Sequence, residues 1–274
     1  MNHIQAIRRL IKSVTANKDH HAIIISGPPG WSKTTTAEDA LCDEGISAVN
    51  LGAYSTPLNF YNFLHLNAEK MIVIDDCAKL LTDSASMAIL KAATWGNSKG
   101  ERIIRWGSTS SRAVVDHFEC KNKFIIICNS FPETPDGEAI RSRSYLRPIT
   151  LTGSDAKRLL LEAANDRKRF PDPETAALVA KFLAERLTDK SVWKTSYRTL
   201  RAGYDLAIDH PDDWPDLLAP KIPGPIDDPE KLVKSLNAEN LKIKEQARIF
   251  QETTGMSRRT FFNYRQEANL TRGR

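Results

Sequence analysis

SGPPGWSKTTT, residues 26–36, departs by one residue from the phosphate-binding pattern G-x-x-x-x-G-K-[ST]: Ser32 stands where the pattern has glycine before Lys33. In such a loop consecutive backbone N–H groups point at a β-phosphate, and the helix that follows presents its positive N-terminus. The sequence supplies both flanks. HAIIISG (21–27) is an apolar β-branched run ending in glycine, and TTTAEDALCDE reads as the opening of a helix. Gly27, Pro28, Pro29, Gly30, Trp31, Ser32, Lys33, Thr34 and Thr35 are therefore expected to line a nucleotide, with Lys33 on the β- and γ-phosphates and the Thr34 hydroxyl on Mg2+. By this reading position 32 needs only a small residue. The competing reading is a plain glycine-proline turn.

Two more buried runs extend the pattern. KMIVIDD (70–76) ends in Asp75 and Asp76, and KFIIICNS (123–130) carries Asn129 at its end. Continuous Ile/Val runs separated by helical segments predict a parallel sheet covered on both faces, an α/β fold. In a nucleotide hydrolase the first acid holds magnesium and the second polarises the attacking water, which needs both at the carboxyl end of a strand adjoining the loop. Asn129 is placed to orient water against the γ-phosphate, although asparagine is also a common turn residue.

The chain has 274 residues, 41% hydrophobic and 27% charged, the balance of a globular protein with room for more than one domain. No apolar run approaches the roughly 18 residues that span a bilayer, and MNHIQAIRRLIKS lacks a signal-peptide core, so a cytoplasmic protein without membrane contact is expected. Cys42, Cys77, Cys120 and Cys128 are scattered and read as reduced residues, three of them in or beside apolar segments. The net charge of +5 is uneven: residues 231–274 carry +6 and the rest −1. A basic excess confined to one end points to a polyanion partner, or to a solvated basic helix.

The pattern divides the chain into an α/β nucleotide-binding domain (1–150), a helical lid (151–210), a linker (211–230) and a terminal unit (231–274). SDAKRLLLEAAND, PETAALVAKFLAERL and SYRTLRAGYDLAI each space apolar residues at three and four, as helices do. PDDWPDLLAPKIPGPIDDPE holds six prolines in twenty residues and predicts an extended linker. Within the first domain, GERIIRWGS and DHFECKNK around STSSRAVV suggest a β-hairpin.

GPPGWSKT, MIVIDD, IIICN, IRSRS and SYRTLR resemble, in order and approximate spacing, the Walker A, Walker B, sensor 1, arginine-finger and sensor 2 motifs of AAA+ ATPases. The resemblance covers about residues 1–210. It implies ATP bound between subunits of a ring or helical homo-oligomer, with Lys33 and Thr34 as the Walker A pair, Asp75 and Asp76 as the Walker B pair and Asn129 as sensor 1. Arg143 resembles the finger that reaches a neighbour's γ-phosphate, Arg141 competes for that role, and Arg198 resembles sensor 2. The alternatives are surface salt bridges for Arg141 or Arg143 and a solvated helix face for Arg198. The family usually has glutamate at the second acid, and the shorter Asp76 implies slow hydrolysis.

The insertion between Walker B and sensor 1 is similar to segments of phage and plasmid AAA+ ATPases and stands where replicative helicases of viral type carry a channel hairpin. Lys99, Arg105 and Arg112 would there track a phosphate backbone, or else sit on a solvated sheet edge. The terminal unit has a helix-turn-helix pattern: Ala247 and Phe250 inward, Gly255 at the turn, Met256 plugging the core and Ser257 capping. Arg258, Arg259, Asn263 and Arg265 are then offered to DNA, with Phe261 or Tyr264 buried. A protein-docking helical hairpin is the competing reading. The expected function is an ATP-hydrolysing oligomer acting on DNA in remodelling, unwinding or helicase loading, with a replicative helicase or another mobile-element protein as a further partner. Rival readings are an ATP-switch assembly factor and a protein-remodelling chaperone, the latter without the expected aromatic-glycine pore loop.

Overall fold

The computed structural model describes residues 3–16, 19–52, 54–107, 112–189, 191–222, 229–238, 241–254 and 256–268. Two compact units divide the chain, residues 1–150 and 151–274.

The first unit begins with α1 (His3–Ala16) and then alternates strand and helix: β1 (Ala22–Ser26), α2 (Lys33–Asp43), β2 (Ala48–Leu51), α3 (Pro57–Leu66), β3 (Met71–Asp75), α4 (Ala78–Thr82) and α5 (Ser84–Thr94). A hairpin of β4 (Ile103–Arg105) and β5 (His117–Glu119) precedes β6 (Lys123–Cys128), α6 (Pro135–Arg141) and β7 (Tyr145–Pro148). Five strands pair in parallel in the order β2-β3-β6-β1-β7. The three Ile/Val runs are the centre of this sheet, where both faces are covered and the residues between the strand ends are apolar. One face carries Ile24, Ile72, Ile74, Phe124 and Ile126 against Phe60, Tyr61 and Leu64 of α3 and Met87 and Leu90 of α5. On the other, Ile23, Ile25, Ile125 and Ile127 are also buried, and α1 contacts β1, β6 and β7. The expected parallel α/β sheet is thus present, with two edge strands, AVNL and YLRP, that the sequence did not announce.

Within the second unit lie α7 (Gly153–Ala163), α8 (Pro173–Glu185), α9 (Tyr197–Asp209), α10 (Trp214–Leu218), a 3-10 turn (Ala219–Lys221), α11 (Pro229–Ala238), α12 (Ile243–Thr254) and α13 (Arg258–Glu267). The extended linker over 211–230 needs correction: its first half is helical and packed. Trp214 and Leu218 are buried, Trp214 lies edge-on to Phe182 at 4.7 Å, and Leu218 presses on Gly203, where an added Cβ would come within 2.9 Å. The prolines do not prevent this, because Pro215 and Pro220 stand in opening turns, where no backbone donor is lost. Residues 223–228 of that stretch lie outside the described residues.

Candidate functional site

In a parallel sheet every strand delivers its carboxyl end to one edge, and loops there collect functional groups. Ser26 pairs with Cys128, and Asp75 with Ile127, so the ends of β1, β6 and β3 are level. Asp75 is not on β1's immediate neighbour; β6, carrying Asn129, lies between.

From β1 the chain enters the loop through Gly27 at φ 146, where a Cβ would stand 2.6 Å from the Ile149 carbonyl oxygen, so only glycine fits. The Gly27 N–H donates to the Asn129 backbone oxygen at 3.1 Å, tying the loop to the end of β6. Pro28 and Pro29 supply no N–H, which leaves Gly30 to Thr34 to provide the anion-facing donors. Trp31 is fully buried and anchors the loop. Ser32 lies immediately before α2 in the left-handed region, φ 60 and ψ 26, and its side chain makes no capping bond. This corrects the expectation that position 32 needs only a small residue. The backbone there also favours glycine's freedom of φ, and Ser32 occupies that conformation with a Cβ.

The Lys33 ammonium is buried inside the loop. It donates to the Gly27 and Pro28 carbonyls, both at 2.8 Å, and to Asn129 Oδ1 at 3.2 Å. The Thr34 hydroxyl donates to Asp75 Oδ2 at 2.7 Å. A threonine hydroxyl beside one carboxylate is an oxygen donor set that suits a hard cation such as Mg2+, which takes few protein ligands and shares the rest with phosphate and water. Asp76 is exposed and also lies at positive φ, 51, a region aspartate tolerates better than most residues. Thr35 opens α2 with Thr34. Beneath these groups Cys128 is buried; loss of water pushes its thiol up to about 11, against the opposing pull of Lys33 and Arg141.

The two candidate finger arginines differ in what holds them. Arg141 donates to Glu138 Oε1 at 3.1 Å and to the Phe131 carbonyl at 2.8 Å. Arg143 is half-buried, with its guanidinium 5.8 Å from the centre of the Trp95 ring. Trp95 belongs to no motif in the sequence; its one signal there is an aromatic residue ending an amphipathic helix just before the polar turn GNSKG. Arg198 is exposed in the first turn of α9, in the second unit.

Lys99, Arg105 and Arg112 are all exposed. The expected hairpin is present, with Arg105 opposite His117. Its second limb is bound to α3: Asn62 Nδ2 donates to the Arg112 carbonyl at 3.1 Å, Val114 N–H donates to Asn62 Oδ1 at 3.1 Å, and the Tyr61 hydroxyl donates to the Val115 carbonyl at 3.0 Å. Residues 108–111 lie outside the described residues.

In the terminal unit Val233, Leu236, Ala247, Phe250, Phe261 and Tyr264 form a small core with Met256 packed against it. Ser257 Oγ accepts the Thr260 N–H and caps α13. Gly255 lies outside the described residues. Arg258, Arg259 and Asn263 are exposed on α13. Arg265 is not: at 5% exposure it donates to Asn237 Oδ1 at 2.9 Å and Gln246 Oε1 at 2.7 Å, joining α13 to α11 and α12. It is corrected from a DNA contact to a buried bracket, because α13 turns the face bearing Phe261, Tyr264 and Arg265 inward. Phe262, 41% exposed with the Arg258 guanidinium 5.8 Å from its ring centre, stands on the outer face instead.

No protein-family model matches the chain, and no curated protein sequence does. Among solved structures it is similar to NtrX from Brucella abortus in complex with ATP, with a TM-score of 0.50 at 13% identity over 98% of this chain and 69% of that one. The likeness is to a parallel P-loop α/β fold. The Thermotoga maritima RuvB Holliday junction branch migration motor gives a TM-score of 0.48 at 14% identity over 99% of this chain and 89% of that one. The Aeropyrum pernix Orc1 protein in complex with DNA gives 0.44 at 12% identity over 98% and 82%. At these identities the likeness is one of fold. No helix among the described residues is long and apolar enough to cross a membrane.

Proposed function

We propose that this chain is an AAA+ ATPase that binds ATP with Mg2+ in the loop after β1, hydrolyses it in a homo-oligomer and acts on DNA. The observation that carries the ATP reading is the convergence of Lys33, Thr34, Asp75 and Asn129, drawn from three strand ends and joined by hydrogen bonds of 2.7 and 3.2 Å. A buried ammonium beside backbone donors at a helix start suits the β- and γ-phosphates. Thr34 and Asp75 would hold the magnesium, which supplies neutralisation of phosphate charge. Asn129 fixes the Lys33 ammonium and orients water, Asp76 accepts the water's proton, Arg143 of a neighbouring copy stabilises the transferring phosphoryl group, and Arg198 serves as sensor 2. The DNA reading rests on the basic terminal unit, with Arg258, Arg259 and Asn263 on the outer face of α13 and Lys99, Arg105 and Arg112 as a second basic surface.

The deciding experiment measures ATP binding and hydrolysis with and without duplex and single-stranded DNA, for the intact protein, Lys33→Ala and Arg258→Glu/Arg259→Glu. Lys33→Ala is expected to lose nucleotide binding, and the double variant to lose DNA affinity while keeping basal hydrolysis. Full nucleotide binding by Lys33→Ala sinks the ATP site; unchanged DNA affinity in the double variant sinks the DNA surface. A switch-like variant of the reading, with slow turnover governing assembly rather than driving a motor, is favoured by Asp76, which is short, exposed and at φ 51. Strand displacement separates the two, since only a motor produces it.

A further inference from the structure

The turn after α6 carries Arg141 and Arg143, and its backbone is fixed. The Arg143 N–H donates to the Ile140 carbonyl at 3.1 Å, the Ser144 N–H to the Arg141 carbonyl at 3.1 Å, and the Ser144 hydroxyl to the Ile140 carbonyl at 2.8 Å. Arg141 commits two of its five N–H donors within its own chain, to Glu138 and to the Phe131 carbonyl. The Arg143 guanidinium instead rests by the Trp95 ring, and among the described residues it makes no hydrogen bond or ion pair. Trp95 itself is held. It is the residue that ends α5, in extended conformation, and one turn earlier Lys91 donates to Asp136 Oδ1 at 2.5 Å, clamping α5 to α6. Yet the residue is 47% exposed, which is unusual for tryptophan at so constrained a position.

An arginine side chain has many rotamers, and a guanidinium kept over an aromatic face loses most of that freedom while retaining all five N–H donors, because the attraction is to the ring face. Exposed tryptophan beside arginine is also the composition that anchors protein interfaces. The geometry points to Trp95 as a positioning residue for Arg143, holding its guanidinium ready for the nucleotide phosphates of a second copy of this chain. This rests on the reading of Arg143 as a finger acting between copies. Trp95 touches no reacting atom in it; its effect passes through Arg143.

The test compares Trp95→Ala, Trp95→Phe and Arg143→Ala in the full chain, measuring kcat, KM for ATP and binding of a non-hydrolysed ATP analogue, and then mixes each with Lys33→Ala, which lacks the loop ammonium but offers an intact Trp95–Arg143 surface. The expected result is loss of hydrolysis with retained analogue binding for Arg143→Ala, and for Trp95→Ala a fall in kcat of about three- to tenfold with KM little changed. Trp95→Phe keeps most activity, because a ring face remains. Adding Lys33→Ala restores turnover to both deficient variants, since its surface then faces their nucleotide. A Trp95→Ala protein as active as the parent, beside an inactive Arg143→Ala, overturns the positioning role and leaves the finger intact. Equal impairment of Trp95→Ala and Trp95→Phe, or no rescue of Trp95→Ala by Lys33→Ala when Arg143→Ala is rescued, makes Trp95 a packing residue and overturns the inference too. Full hydrolysis by Arg143→Ala removes the reading beneath it.

Discussion

Ser32 holds a left-handed backbone that costs an L-residue roughly 1–2 kcal/mol, while glycine in its place would lose about 0.5–1 kcal/mol more chain entropy on folding. The first effect is the larger, so Ser32→Gly is expected to stabilise the protein by about 0.5–1 kcal/mol. Equilibrium urea denaturation checks it; a lower midpoint for the variant would mean the Ser32 side chain contributes something the backbone argument omits. The strain tolerated at Ser32 and at Asp76, both on the edge that collects Lys33, Thr34 and Asn129, is where a functional site is expected to keep it. For Asp76 the consequence lies in turnover. Asp76→Asn removes the proton acceptor without changing shape, so single-turnover measurements should show hydrolysis falling by about 10²-fold or more with ATP affinity retained. Parallel loss of affinity would make Asp76 a binding group instead.

At the scale of elements, α13 has two faces with opposite tasks. Arg265 bridges Asn237 and Gln246, so truncating it leaves the buried Gln246 oxygen and the partly buried Asn237 oxygen short of a donor. Arg265→Ala is expected to cost about 2–4 kcal/mol in the stability of the terminal helices. Arg258→Glu with Arg259→Glu should leave their melting nearly unchanged, as exposed residues do. Circular dichroism melts of both variants test the division, and a stable Arg265→Ala would return that residue to the surface. This element also shows what the sequence could and could not disclose. Helical spacing placed Phe250 and either Phe261 or Tyr264 inside, but a charged side chain reads as solvent-facing until its amide partners on α11 and α12 are known. The same limit operated in the sheet. The central runs AIIIS, MIVID and KFIIIC announce themselves because both faces are buried, whereas AVNL and YLRP are half-exposed edges with mixed composition. The loop, its acids and Asn129 were legible because they end central strands. Trp95 was not, since its meaning depends on an arginine brought beside it by the packing of α5 on α6.

Across the whole molecule, pH and salt act on different units. His21, at the entrance to β1, has its pKa lowered to about 4, first by burial and then by the cations of Arg102 and Lys123, with Asp19 opposing. Its Nδ1 is buried without a hydrogen-bond partner among the described residues. Between about 4 and the ordinary 6.5 the unfolded chain therefore binds more protons at this residue than the folded one, so stability rises with pH and is lost as pH falls through that window. Replacing His21 with Gln should flatten this part of the stability curve, and an unchanged slope would assign it to other groups. Salt acts through the +6 charge of residues 231–274, against −1 for the remainder. If DNA is held by this unit, log Kd should depend linearly on log salt, and each exposed arginine removed from α13 should reduce the slope by about one. Arg258→Ala and Arg259→Ala, measured singly and together across a salt series, should do this additively whether or not ATP is present. A slope that the double variant leaves intact would transfer the contact to Lys99, Arg105 and Arg112 of the first unit, where the corresponding alanine variants would then reduce it.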